Sequence, residues 1–308
     1  MTKRDFLTLG DLTLAEARRI FSIARILKSE PKGRRLHLLA GRAVAIVMEK
    51  ASTRTRASFE VGCAHLGAHP VVLSAQGSQL ARGEPVRDTA RVLSRYCDAI
   101  VFRTSTSARL LEMADASSVP VINALSDDGH PVQVLCDVLT VEEQLGSAIA
   151  GKRVAFVGDC ASNMARSWLE AAAFFDFHLV LAGPREFMPS DREIANAGHR
   201  VMLVHDAAHA VDGCDVVNTD VWASMGQEDE RERRLRGLAG WTVTEAMMAR
   251  AAADAIVLHC LPAHRGEELD EATLEGPRSR VWDQAENRLH GQKALLILLL
   301  GLADEIGG

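Results

Sequence analysis

The six cysteines of this 308-residue chain, Cys63, Cys97, Cys136, Cys160, Cys214 and Cys260, are scattered singly and form no C-x-x-C pair. A disulfide framework or a structural zinc site needs closer organisation, so neither is expected, and a reducing cytoplasm is the simple setting. No apolar run approaches the roughly 20 residues that span a bilayer. The most apolar one, Ala294 to Ala303, reads as a buried helix, and no membrane partner is expected. The opening Met1-Thr2-Lys3-Arg4-Asp5 lacks the apolar stretch of a secretory signal, again favouring a cytoplasmic protein. The net charge of −6 leaves no global basic field, which argues against nucleic acid as a partner. Internal repeats, low-complexity segments and the G-x-G-x-x-G fingerprint of dinucleotide binding are also missing.

What is present is a soluble globular composition, 47% hydrophobic and 25% charged, long enough for two domains of ordinary size. Leu14, Ala17, Phe21, Ala24 and Leu27 recur at helical spacing. Val44-Ala45-Ile46-Val47-Met48 has the length and character of a strand buried on both faces. Similar short runs follow at Val71–Leu73, Ala99–Phe102, Val119–Ile122, Val154–Val157, Leu179–Ala182, Val201–Val204, Val216–Asn218 and Ile256–His259. Helical stretches are predicted between them at 57–66, 86–95, 131–145, 163–174 and 244–252, with a closing helix over 286–303. Such alternation predicts α/β architecture with parallel sheets. So many strands suit two sheets better than one, with the break beside helix 131–145.

In open α/β sheets, ligands bind beyond the carboxyl ends of the strands, and polar residues cluster there in this sequence. Ser52-Thr53-Arg54-Thr55-Arg56 follows the first strand and runs into a helix. Its hydroxyls, guanidiniums and helix N–H groups suit a phosphate; the plainer alternative is an N-cap with solvated arginines. Arg103-Thr104-Ser105-Thr106 repeats the theme after a later strand, and a surface turn explains it equally well. His130-Pro131-Val132-Gln133 sits where proline suits a first helical turn, leaving His130 and Gln133 as donors to a carbonyl or phosphoryl oxygen, or as structural residues. In the second half, Gly158 to Asn163 resembles a dinucleotide turn without its glycines, so a nicotinamide oxidoreductase is disfavoured. Asn163 is a ligand contact or an N-cap, and Asp220 an amine-binding carboxylate or the cap of the next turn. Cys260, after the last strand, has no further zinc ligands at suitable spacing, so no metal is expected. The run from Gly226 to Arg236, rich in charge and poor in apolar anchors, reads as a mobile segment or a solvated loop.

Taken together, these segments resemble the aspartate/ornithine carbamoyltransferase family over essentially the whole chain. Ser52–Arg56 and His130-Pro131-Val132-Gln133 match motifs shared across it, whereas Asp220-Val221-Trp222-Ala223-Ser224-Met225-Gly226-Gln227-Glu228 and His259-Cys260-Leu261-Pro262 match its ornithine-using branch. Ser162 stands where many relatives carry a second Asn, and Arg166 is an unusual charge near that loop.

The resemblance implies two doubly wound parallel-sheet domains bridged by helices, with the active site in the cleft between them. Residues 1–135 plus 288–308 would bind carbamoyl phosphate and residues 136–287 ornithine. Ser52, Thr53, Arg54 and Thr55 would hold the phosphate; Arg103, His130 and Gln133, with Thr55, the carbonyl oxygen. Arg288, near the start of the closing helix, and the Cys260–Leu261 backbone would complete that site. Gln79 matches a residue the family lends from a neighbouring subunit, implying a homo-oligomer, a trimer or a multiple of trimers. Asn163, Asp220, Ser224 and Met225 would bind ornithine, with Arg54, Arg103, His130 and Cys260 carrying the chemistry. No cofactor is implied. The alternatives are a carbamoyltransferase for another acceptor, such as putrescine, an acylated ornithine or aspartate, and a non-catalytic sensor of the same fold.

Overall fold

The computed structural model describes residues 3–31, 36–74, 77–223 and 230–306. Its first helix, α1 (Leu14–Ser29), starts at a capping box in which Glu16 N–H donates to Thr13 Oγ1 and Thr13 N–H donates back to the Glu16 carboxylate. Ala17, Phe21, Ala24 and Leu27 are buried as their spacing predicts, while Leu14 stays exposed.

Each predicted apolar run forms a strand. β1 (Ala43–Met48), β2 (His69–Ser74), β3 (Ala99–Arg103) and β4 (Val121–Leu125) make one parallel sheet in the order β2-β1-β3-β4. β5 (Arg153–Val157), β6 (His178–Ala182), β7 (Val201–Val204), β8 (Val216–Thr219) and β9 (Ile256–His259) make a second, in the order β7-β6-β5-β8-β9. The chain divides into two compact units, residues 1–136 with 286–308, and 137–285. Both crossings fall inside helices, α5 (Pro131–Leu145) and α11 (Val281–Leu299).

Each strand order reverses once, between β1 and β3 in the first unit and between β5 and β8 in the second. At such a switch point the loops leave in opposite directions and open a crevice beyond the strand ends. The remaining helices cover the sheets: α2 (Thr53–Leu66), α3 (Val86–Tyr96) and α4 (Ser107–Ala116) in the first unit, then α6 (Asn163–Phe175), α7 (Asp191–Ala197), α8 (Arg231–Gly237), α9 (Glu245–Met248) and α10 (Glu271–Glu275) in the second. In the first core, Val47, Ile100 and Phe102 pack with Ala90 and Leu93 of α3 and Leu110 and Met113 of α4. In the second, Val157, Val180, Val217 and Val257 pack with Trp222, Leu238, Trp241 and Leu274.

Several boundaries differ from the sequence expectation, each for a local reason. β4 begins at Val121 rather than Val119, because Pro120 has no N–H to give; Val121 O accepts from Phe6 N and Asn123 N–H donates to Phe6 O, both at 2.8 Å. The helix predicted over 244–252 is a single turn. Beyond it, Arg250 O accepts from Gly213 N and Ala252 N–H donates to Cys214 O, so the turn at 213–214 takes the groups a longer helix would use. The charge-rich run 226–236 is in its described part mostly helix α8, anchored where Arg234 Nη1 donates to Asp159 at 2.6 Å and to the Trp222 carbonyl at 3.2 Å. Among the described residues, no helix is long and apolar enough to cross a membrane.

Candidate active site

In the first unit the strands at the switch point end together. Met48 of β1 pairs with Arg103 of β3, and Glu49 N–H donates to Arg103 O at 2.9 Å. α2 starts at Thr53, inside the predicted phosphate motif, so the motif is itself the first helical turn. Ser52 is its N-cap: Thr55 N–H donates to Ser52 Oγ at 3.3 Å, and the two hydroxyls lie 3.1 Å apart. The N-cap alternative therefore holds for Ser52, but it leaves the anion-attracting end of a 14-residue helix beside Thr53 and the half-buried Arg54. Arg56 does not join them. It is exposed and pairs with Glu60 one turn on, at 3.2 Å.

Thr55 is fully buried, and Arg288 Nη2 donates to its hydroxyl at 3.1 Å. Arg288 lies two turns into α11, which begins at Val281 and not near 286, so the residue is fixed by helix packing and not by a helix end. His130 and Gln133 are buried at the start of α5, where Gln133 N–H donates to His130 O at 3.0 Å. Burial, with the charges of Arg288 and Arg103 beside it, holds the His130 imidazole well below its ordinary pKa. At neutral pH it is therefore a neutral donor among cations. The hydroxyls after β3 do other work: Thr104 donates to Glu49, and Thr106 caps α4. Glu49 faces Arg109, whose Nε lies 3.0 and 3.1 Å from its two oxygens. Gln79 is exposed in a short 3₁₀ turn, Gln79–Arg82.

The second unit gathers a different set at its switch point. Gly158 leaves β5 with φ +111°, and a Cβ there would lie 2.9 Å from Trp222 Nε1. Ser162 then caps α6, accepting from Ala165 N–H at 3.2 Å, and puts Asn163 at the first helical position. The charge of Arg166 is taken up by Glu193. Thr219 pairs with His259 across β8 and β9, so Asp220 and Cys260 emerge side by side, and the Cys260 thiol donates to Asp220 Oδ1 at 3.0 Å. Burial pushes the Asp220 carboxyl up, against the opposing hydrogen bond from Cys260.

His259 and Glu268 are both fully buried, with Nε2 and Oε1 3.2 Å apart. His259 Nδ1 accepts from Leu261 N–H at 2.8 Å, which puts the ring proton on Nε2, facing Glu268. Leu261 has φ +60° and precedes a cis peptide to Pro262, so His259 supports a left-handed residue directly after Cys260. The ligand atoms of Asp220, His259 and Cys260 lie within 4.8 Å of one another. Spacing along the sequence could not show that gathering, because Asp220 arrives from another strand; both imidazole nitrogens are nonetheless engaged. Ser224 and Met225 lie outside the described residues.

Two family models, described as the carbamoyl-P binding domain and the Asp/Orn binding domain of aspartate/ornithine carbamoyltransferase, match residues 4–143 and 150–299. The chain belongs to this family. A relative from Sorangium cellulosum named ornithine carbamoyltransferase is 69% identical over 310 residues, covering 98% of this chain and 99% of its own length. One of the same name from Pelobacter propionicus is 50% identical, covering 97% and 99%. Among solved structures, the ornithine carbamoyltransferase of Pyrococcus furiosus superposes with a TM-score of 0.90 at 44% identity, covering 97% of this chain and 98% of that one. That of Thermus thermophilus gives 0.88 at 37%, covering 97% and 100%.

Sequence reasoning missed Glu268, Glu49 and Arg109. Glu268 is read only through the fold of the turn that follows β9, and the Glu49–Arg109 pair spans 60 positions with no local signal.

Proposed function

We propose that this chain transfers the carbamoyl group of carbamoyl phosphate to the δ-amine of L-ornithine, giving L-citrulline and phosphate, a step of arginine biosynthesis. The observation that carries the reading is the division of labour between the two switch points. One is cationic and rich in hydrogen-bond donors, with Arg103 and Arg288 beside a neutral His130 and Arg54 on the first turn of α2; the other is a buried carboxylate hydrogen-bonded to a thiol.

In this reading Ser52, Thr53, Arg54 and Thr55 bind the phosphate on the first turn of α2. Arg103, His130 and Gln133, with Arg288 and the Cys260–Leu261 backbone, take the carbonyl oxygen. Asn163, Asp220, Ser224 and Met225 bind ornithine. The deprotonated δ-amine attacks the carbonyl carbon, the carbonyl π electrons move to oxygen, and the tetrahedral oxyanion is stabilised by donors fixed before reaction. Collapse expels phosphate, whose charge Arg54 receives, and Cys260 with Asp220 handles the amine proton. Holding both reactants together supplies much of the remaining acceleration. Such chemistry requires the two half-sites to share one ligand pair. Gln79, exposed on its turn, is read as a contribution to a neighbouring subunit's site in a homotrimer or a multiple of trimers. The six free thiols fit a cytoplasmic setting.

The test is a product assay with carbamoyl phosphate and a panel of amines. Citrulline from ornithine is expected. Product only from putrescine, acylated ornithine or aspartate would overturn the acceptor, and no product from any amine would favour a sensor. Light scattering reads the mass, and a monomer that is fully active when dilute would overturn the shared site.

A further inference from the structure

The turn after β9 carries a second cluster of potential ligands. His264 Nδ1 lies 3.8 Å from Glu267 Oε2 and 3.9 Å from Glu268 Oε2, and the three atoms all fall within 4.8 Å of one another. All three are buried at the atom level, and none has a hydrogen-bond partner among the described residues. Glu268 is fully buried. A buried carboxylate oxygen without a partner is costly, and here it is aimed at a second carboxylate oxygen and an imidazole nitrogen in the same condition.

The other oxygen of each carboxylate is already fixed. Glu267 Oε1 accepts from Arg231, while Glu268 Oε1 accepts from His264 N–H at 2.6 Å and lies 3.2 Å from His259 Nε2. Outer contacts of this kind orient metal ligands. Donors bound at about 2.1 Å in tetrahedral or octahedral geometry lie ~3.0–3.4 Å apart, so the set, 3.8 and 3.9 Å from the imidazole and within 4.8 Å overall, closes by side-chain movements of about 0.5–1.5 Å. Two carboxylates with one imidazole suit a first-row divalent ion better than calcium or magnesium, which favour all-oxygen shells.

We propose that His264, Glu267 and Glu268 form a binding site for a divalent transition-metal ion, separate from Cys260. The ion supplies the positive charge that two inward-facing carboxylate oxygens lack. Through Glu268 it is linked to His259, and so to the backbone support of Leu261.

Titration of the chelator-treated full chain with Co²⁺ tests this, read by visible absorption and equilibrium dialysis. One ion per chain is expected, with ligand-field bands and without thiolate charge-transfer absorption in the near ultraviolet. His264→Ala and Glu267→Gln should each weaken binding at least ~10-fold; the second, a conservative change, keeps the test valid should the first disturb folding. Three results would overturn the site: no binding at millimolar Co²⁺, unchanged affinity in both variants, or a thiolate band abolished by Cys260→Ser. The last would move the ion to the Asp220–Cys260 pair.

Discussion

Arg288 and Thr55, 233 positions apart in sequence, meet at 3.1 Å, guanidinium Nη2 to hydroxyl, both side chains buried. The contact ties the interior of α11 to the first turn of α2. Thr55 orients the cation without neutralising it, and Ser52 holds Thr55 in turn.

Thr55→Val deletes the hydroxyl that both Ser52 and Arg288 use, at nearly constant volume. A hydrogen bond to a charged group is worth ~1.5–3 kcal/mol. The expected result is a kcat/KM for carbamoyl phosphate lower by ~10–100-fold, with circular dichroism unchanged. Steady-state kinetics with varied carbamoyl phosphate decide it, and a wild-type value would remove Thr55 from the phosphate site.

Arg54→Ala and Arg103→Ala remove groups proposed to face charge that develops during reaction. Loss of one such donor costs ~10²–10³ in rate, and that drop is expected in kcat for each. Near-normal turnover in both variants, measured at saturating substrates, would be incompatible with the proposed mechanism.

Acid should destabilise the fold through buried histidines. Burial holds His290 down to about 3 and His130 well below its ordinary value. Between the ordinary pKa near 6.5 and these folded values, the unfolded chain binds protons that the folded one refuses. Stability therefore falls as pH drops below ~6.5, by roughly 1.4 kcal/mol per pH unit for each group. Chemical denaturation at pH 7 and at pH 5 measures the slope. His290→Gln should reduce it by about one proton's contribution, and an unchanged slope would exclude His290 as a source.

Gly158→Ala meets two obstacles at once, φ +111° and the Trp222 indole nitrogen 2.9 Å from the new Cβ. A loss of ~1–3 kcal/mol in urea denaturation is expected. A neutral outcome would mean that the turn after β5 relaxes freely.

The two sheets were legible in the sequence because seven of the nine described strands are largely buried, the edge strands β2 and β7 being the exceptions; five of the six β1 residues are buried. Such strands appear as unbroken apolar runs. Helices are less evident where caps and not periodicity define them, as with Thr106 for α4 and Ser190 for α7. Residues directly after strands were legible as candidates, since topology delivers them to the sheet's carboxyl edge. Their partners were not. Nothing near Cys260 foretells the Asp220 contact, which depends on the pairing of β8 with β9.

The half-buried Cys260 also has a practical use. The other five thiols are buried, with Cys214 pushed up to about 11 and Cys63 to about 12, so alkylating reagents should be slow at all of them. A fluorescent maleimide is therefore expected to label this chain once, on the strand end where the acceptor amine is proposed to sit. The rate of labelling, followed with and without each substrate, would turn one native side chain into an occupancy reporter that needs no engineered tag.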